Sequence, residues 1–160
     1  MLWNPEDPSS RINWKEIQLP ARDLGLQLNS VELTSTNKVE GAFKEVAKSG
    51  GAALVVASAS LFASIQKRII ELAAKTRLPA IYGRGDWPAS GGLMSYSADR
   101  DEPYRRAAAI VDKILKGTKP ADLPVETPMK FELMINLKTA KQMGLTIPQS
   151  VLYRADRVIK

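Results

Sequence analysis

The sequence contains no cysteine and no histidine. Without cysteine there are no disulfides, no thiol nucleophile, no cysteine zinc site and no iron–sulfur cluster. Without histidine the commonest general base and the commonest metal ligand are missing, and no unperturbed side chain titrates near neutrality. Aromatic residues make up only 6% of the chain. No apolar run approaches the ~18 residues a membrane-spanning helix needs. What is present is ordinary for a globular domain: 160 residues, 44% hydrophobic and 25% charged. A chain of this length is expected to hide roughly 70% of its unfolded surface. The composition points to one folded domain with little catalytic equipment.

The 23 basic and 17 acidic residues leave a net charge of +6. The excess sits in residues 61–120, which include Lys67, Arg68, Lys75, Arg77, Arg105, Arg106, Lys113, Lys116 and Lys119. Such a segment fits either solvated helix faces or a nucleic-acid surface. No aromatics interleave with it as a single-strand binder would require, so the expectation is no nucleic-acid partner. The first residues, Met1-Leu2-Trp3, lack a basic region and an apolar core and read as no signal peptide. If this is the whole gene product, that would leave it cytoplasmic.

Apolar spacing predicts alternating strands and helices. Leu2-Trp3 is a strand stub ending at Asn4-Pro5. Ser9 or Ser10 is placed to cap a helix running to about Leu24, with Pro20 kinking or splitting it. Leu26 to Leu33 reads as an irregular strand, and Asn37 as the cap of a second helix. Ala52 to Ala57 is a continuous apolar run, the pattern of a parallel strand buried on both faces. Ser58 or Ser60 caps the next helix, which carries Leu61, Phe62, Ile65, Ile69 and Leu72 in a stripe. Leu78 to Tyr82 is another short strand, followed by a breaker-rich loop over 83–92 and a strand over Leu93 to Tyr96. Asp99 or Asp101 opens a helix expected to turn Tyr104, Ala107, Ala108, Val111, Ile114 and Leu115 inward. Lys119 to Pro128 should be extended. Phe131 to Ile135 alternates as a strand, Asn136 caps a short helix, and a last helix is expected around Val151 to Val158. This alternation predicts an α/β domain with a mainly parallel sheet and helices on both faces, in three α-β-α layers.

In such a sheet, ligands bind beyond the carboxyl ends of the strands. That rule selects the loop from Asn4 to Ser10, the turn Ser58-Ala59-Ser60, and the loop Tyr82-Gly83-Arg84-Gly85-Asp86. Two of these run into helix N-termini, where free N–H groups and hydroxyls suit a carboxylate or phosphate. Ser9, Ser10, Ser58 and Ser60 read equally as helix caps. Arg84 is placed to pair an anionic ligand and Trp87 to cover it, or both serve only solvation and packing. The loop is not a dinucleotide fingerprint, because Pro88 stands where the third glycine belongs, and Gly92 stands where a P-loop needs lysine. Glu6-Asp7, Asp99-Asp101-Glu102 and Asp122-Glu126 lie at helix starts or in a proline-rich turn, where acids suit the helix dipole. No paired acid–base arrangement, metal site or cofactor site is evident.

Several strings carry a resemblance: Leu2-Trp3-Asn4-Pro5, Leu78-Pro79-Ala80-Ile81-Tyr82-Gly83, Gly91-Gly92-Leu93-Met94-Ser95-Tyr96 and Val111-Asp112-Lys113-Ile114-Leu115-Lys116-Gly117. Lys119-Pro120-Ala121-Asp122-Leu123-Pro124-Val125-Glu126, Lys130-Phe131-Glu132-Leu133 and Gly144-Leu145-Thr146-Ile147-Pro148 continue it. Together they resemble the ABC transporter substrate-binding proteins, in the branch related to tryptophan- and tyrosine-binding lipoproteins. The resemblance runs end to end but implies only the second half of a two-lobed, type I periplasmic-binding fold.

Several expectations follow from that resemblance. Residues 1–90 and 123–160 form the C-terminal lobe, and 91–122 is a crossover segment that in the family returns to the other lobe. The ligand is a small organic molecule such as an amino acid or related anion, contacted through Asn4, Ser9, Ser10, Ser58, Ser60, Tyr82, Arg84 and Asp86. Many relatives carry an acidic or amide residue in the turn that here reads Ser58-Ala59-Ser60. There is no catalytic residue and no cofactor. Partners are an ABC permease and, through residues 91–120, a second copy of the chain. The setting is periplasmic or lipid-anchored.

Overall fold

A computed structural model describes residues 1–99, 101–127 and 130–160. Pro128, the end of the stretch read as extended, lies outside them. Seven strands form one sheet: β1 Leu2–Trp3, β2 Val31–Glu32, β3 Leu54–Val56, β4 Ala80–Tyr82, β5 Met94–Ala98, β6 Phe131–Asn136 and β7 Arg157–Ile159. Their order is β2-β1-β3-β4-β5-β6-β7. Every neighbouring pair is parallel except β5 with β6. The α/β class with a mainly parallel sheet is therefore as expected.

The longer helices are α1 Pro8–Asp23, α2 Val39–Lys48, α4 Gln66–Lys75 and α6 Glu102–Leu115. The short ones are α3 Ser60–Ser64, α5 Asp86–Ala89, α7 Leu137–Gln142 and α8 Gln149–Leu152. Right-handed crossovers put α1 on one face of the sheet and α2 and α4 on the other, where the two pack together. The core lies between them, with Leu2, Leu33, Leu54, Phe62 and Ile69 fully buried.

Several local expectations change. The cap of α1 is Asp7, whose carboxylate accepts the Ser10 N–H at 3.0 Å, not Ser9 or Ser10. Pro20 lies in the exposed last turn of α1, which continues through it. Neither Asn37 nor a serine of the 58–60 turn caps a helix by its side chain. The helix expected after that turn is two helices, broken at Ile65. Residues 86–89 of the breaker-rich loop form one helical turn, α5, because proline is tolerated in the first turn of a helix. The chain end read as helix finishes as β7, which pairs with β6. Asn136 does cap α7, accepting the Thr139 N–H at 3.1 Å.

The largest correction concerns α6. Its apolar residues do not turn inward: no residue of this helix is buried, and Tyr104 and Leu115 are 77% and 81% exposed. The antiparallel pair leads out to it. β4 pairs only with Met94 and Ser95 of β5, and β7 only with Met134 to Asn136 of β6. Beyond Leu133, which both donates to and accepts from Asp156, the two strands run on past their neighbours as a two-stranded arm, with Tyr96 and Phe131 stacked at 5.6 Å.

Ion pairs brace the far end of this arm. The Lys130 ammonium donates to Asp99 at 2.9 Å and to Glu132 at 3.0 Å. Its hydrogen bond holds the Asp99 carboxyl down at about 2 and, with Glu132, holds the Lys130 ammonium above its usual range. A depressed carboxyl stabilises the fold above its unfolded value of about 3.9 and loses that contribution as pH falls through the folded value. A raised ammonium contributes below its unfolded value of about 10.4 and loses it at higher pH. The arm is therefore expected to be most stable on a plateau between these limits. Urea midpoints taken against pH should fall on both sides, and Lys130→Met should flatten the acid limb.

Candidate ligand cleft

The carboxyl ends of β1, β3 and β4 release three loops that meet in an open cleft of about 390 Å³. Its lining includes Asp7, Ser9, Ser58, Ser60 and Arg84. The chain reaches this edge because each strand is a short apolar stub that ends on polar, turn-forming residues. Gly83 permits the close approach of two of the loops: a Cβ there would stand 2.8 Å from the Ser58 Oγ.

Asp7 organises the cleft, and it was not among the residues picked from the sequence. One carboxylate oxygen caps α1 through the Ser10 N–H, and the other accepts the Ser60 N–H at 3.3 Å. A single side chain thus ties the first turn of α1 to the first turn of α3. These N–H bonds hold the Asp7 carboxyl below its usual range, the Ser10 bond contributing most. Asn13, also missed, accepts the Ser58 N–H at 3.1 Å and ties the second loop to α1. The available signal for Asp7 was the order Asp7-Pro8, a cap followed by proline at the first helical position. The adjacent serine pair drew the assignment one turn too far.

The eight residues picked from sequence divide into three groups. Ser9, Ser58, Ser60 and Arg84 line the cleft. Asn4, Ser10 and Tyr82 are buried beneath it. The Asn4 N–H donates to the Ser10 hydroxyl at 2.8 Å, and the Asn4 side-chain amide oxygen Oδ1 accepts the Glu6 N–H, so these two shape the loop from below. The Tyr82 ring lies 4.5 Å from that of Trp87, and burial pushes its phenol well above the usual range. Asp86 stands behind Arg84 and grips it with two bonds, at 3.1 and 2.8 Å. That pairing raises the Arg84 guanidinium further above its normal range. Trp87 is buried against Tyr82 rather than covering the cleft.

This changes the electrostatics expected of the site. Free N–H groups at the two helix starts were read as suited to an anion, but Asp7 already occupies two of them. The cleft wall instead presents one carboxylate and one guanidinium with serine hydroxyls between. Asp7→Ala is expected to cost about 1 kcal/mol through loss of the cap. A urea titration reads this directly, and Asp7→Asn should lose less, because asparagine keeps the Ser10 cap and forfeits only the bond from the Ser60 N–H.

Residues 1–159 match the family described as ABC transporter substrate binding protein. The chain belongs to that family. Among solved structures it is similar to an ABC domain from Streptococcus pneumonia in complex with L-Trp, at 28% identity and a TM-score of 0.84, covering 99% of this chain and 55% of that one. A conserved domain protein from Vibrio cholerae superposes with a TM-score of 0.86 at 24% identity, covering 98% and 53%. A ligand-free, open substrate-binding protein with adhesive properties from Clostridium difficile gives 0.74 at 19% identity, covering 99% and 53%. These last two speak to the fold alone. No curated protein matches the chain. The chain spans about half the length of each solved relative. Membership in the substrate-binding family agrees with the sequence resemblance and with a lobe of periplasmic-binding type.

Proposed function

We propose that the chain is a solute-binding lobe of an ABC-type importer and performs no catalysis. The observation that carries this reading is the cleft itself. It opens at the carboxyl edge of a parallel sheet, is lined by Ser9, Ser58 and Ser60, and is flanked by the opposite charges of Asp7 and Arg84. A carboxylate and a guanidinium on one wall suit a zwitterion, with the ligand ammonium toward Asp7 and its carboxylate toward Arg84. The ligand class we favour is a free amino acid, which agrees with the L-Trp held by the pneumococcal relative. The lobe would serve as one wall of a two-lobed receptor, with α6 as the crossover helix that joins the opposite lobe. The partner would be an ABC permease and the setting periplasmic or lipid-anchored. Among the described residues no helix is long and apolar enough to cross a membrane.

We favour this over a nucleic-acid reading, since several of the basic side chains the latter would use already have acidic partners. Arg68 pairs with Glu40 and Glu71, Arg106 with Glu102 and Glu126, and Lys116 with Asp112. Calorimetric titration of the chain with free L-amino acids, aromatic ones included, tests the proposal. Binding of at least one is expected, weakened about tenfold or more by Arg84→Ala and by Asp7→Asn, since each removes a charge-assisted bond. Asp7→Asn keeps the Ser10 cap but removes both the charge and the acceptor for the Ser60 N–H, so circular dichroism on the variant checks that a loss of binding is not a loss of folding. No heat with any amino acid, or binding indifferent to both variants, overturns the assignment.

A further inference from the structure

We propose that the edge of the sheet opposite the cleft is a docking surface for an anionic lipid bilayer. The proposal does not rest on the ligand reading. β1 to β4 are parallel and point at the cleft, so α1, α2 and α4 end at the opposite edge. β6 runs the other way, so α7 starts from that edge. Arg22, Lys48, Lys75, Arg77 and Lys138 gather there, all exposed, against Asp23 and Glu45. Arg22 meets Asp23 at 3.5 Å, and the other four cations have no ion-pair partner among the described residues. The helix dipole favours a cation in the last turn, which accounts for Arg22, Lys48 and Lys75. It does not account for the other two. Lys138 lies in the first turn of α7, where the dipole opposes it. Arg77 follows the C-cap of α4 with a φ of 52°, the one positive φ outside glycine among the described residues. The same position after α1, α2 and α7 is Gly25, Gly50 and Gly144. Glycine adopts that conformation without a steric cost and arginine does not. The edge thus carries a cation at two places where local structure disfavours one.

A second observation selects lipid over a soluble polyanion. Leu19, Leu24 and Leu26, at the same end of α1, are 56%, 73% and 62% exposed. Leu24 and Leu26 stand on an ordered corner, where their N–H groups donate to the carbonyl oxygens of Pro20 and Ala21 at 3.0 and 2.8 Å. Bare leucines beside Arg22 suit a bilayer interface, where basic side chains meet headgroup phosphates and apolar ones enter the acyl boundary. A nucleic acid would use the charges and leave the leucines in water. The opposite lobe does not explain these leucines. The arm that leads toward it leaves from the cleft edge, and the 16 residues of α1 set Leu24 about 24 Å from there.

Co-sedimentation of the whole chain with vesicles of phosphatidylcholine and phosphatidylglycerol in equal parts tests this. Binding is expected at low salt, with release at high salt as exposed charges are screened, and none to phosphatidylcholine alone. Arg77→Glu with Lys138→Glu should weaken it about tenfold or more. Leu24→Ser with Leu26→Ser should weaken it about tenfold at unchanged charge. Arg11→Glu with Lys67→Glu alters net charge equally but at helix starts on the cleft edge, and should leave binding within about twofold. Arg77→Gly relieves the strained φ, so its urea midpoint should not fall although its vesicle binding does. All these positions are exposed, so circular dichroism should be unchanged throughout. No binding to the anionic vesicles overturns the proposal. So does an equal loss in the cleft-edge pair, indifference to the leucine pair, or duplex DNA held as tightly as the vesicles.

Discussion

Trp87→Ala lowers the unfolding free energy by about 3–5 kcal/mol and weakens the cleft with it. The indole is buried, its ring packed at 4.5 Å against Tyr82 under the floor of the cleft. Alanine leaves a void that the neighbourhood cannot close. Gly92 already sits so near that a Cβ there would stand 2.7 Å from the Tyr82 ring and 3.0 Å from the Trp87 carbonyl oxygen. That carbonyl also accepts the Gly92 N–H at 2.9 Å, so the loop behind is pinned by its backbone. Removal of the ring therefore costs packing without compensating collapse. For a domain whose whole stability is about 5–15 kcal/mol, the loss is a large fraction. Urea unfolding followed by circular dichroism checks it. The midpoint should fall sharply with the slope unchanged, and Trp87→Phe should retain more than half of the difference. α5 also carries Asp86, which grips Arg84. The same variant should therefore weaken any ligand that uses Arg84.

The parts of this fold that were legible in the sequence are those decided by local chemistry. The apolar run around Leu54–Val56 has one reading, a strand covered on both faces, because nothing polar is available to turn outward. Asn136 before Leu137, Ala140 and Met143 is a cap followed by helical spacing, and both signals are local. The parts that were not legible depend on a partner. The spacing of Tyr104, Ala108, Val111 and Leu115 correctly marks an amphipathic helix, but periodicity reports a face and not what covers it. That face lies bare because the segment leaves the sheet on the arm of β5 and β6. β7 is three residues long and owes its existence to the edge that β6 offers, so Arg157–Ile159 carries no strand signal of its own.

The cleft divides in the same way. Its location followed from topology, since the loops beyond the carboxyl ends of β1, β3 and β4 are where open α/β sheets bind ligands. Which side chains reach it did not follow. Ser9 and Ser10 are neighbours in sequence, yet one is exposed to the cleft and the other is fully buried, because adjacent helical residues point about 100° apart. Asp7 was legible as an acid favoured at a helix start. Its second bond, to the Ser60 N–H, joins residues 53 apart, and no local pattern encodes it.

Phe62→Ala should match the Trp87 variant in stability, at about 3–5 kcal/mol, and exceed it in damage to the serine wall. α3 is only five residues long, far below the length at which a helix stands alone in water. Its shape comes from its anchor. Phe62 is 1% exposed and lies in the main core with Val56, Ile69 and Trp87. Ser60 and Ala63, on the same turn, line the cleft, and the Ser60 N–H holds the Asp7 carboxylate. Without the ring, α3 loses its deepest anchor and is left to the bonds from Asp7 and Asn13 and the partly buried Leu61 and Ile65. A conservative Phe62→Leu keeps most of the buried area and should cost less than half as much. The two variants separate packing from mere presence of an apolar group. Amide exchange makes the test local: in Phe62→Leu the protection of residues 60–64 should fall while that of α2 persists. If exchange in that turn tracks global unfolding in both variants, α3 is held by something other than Phe62.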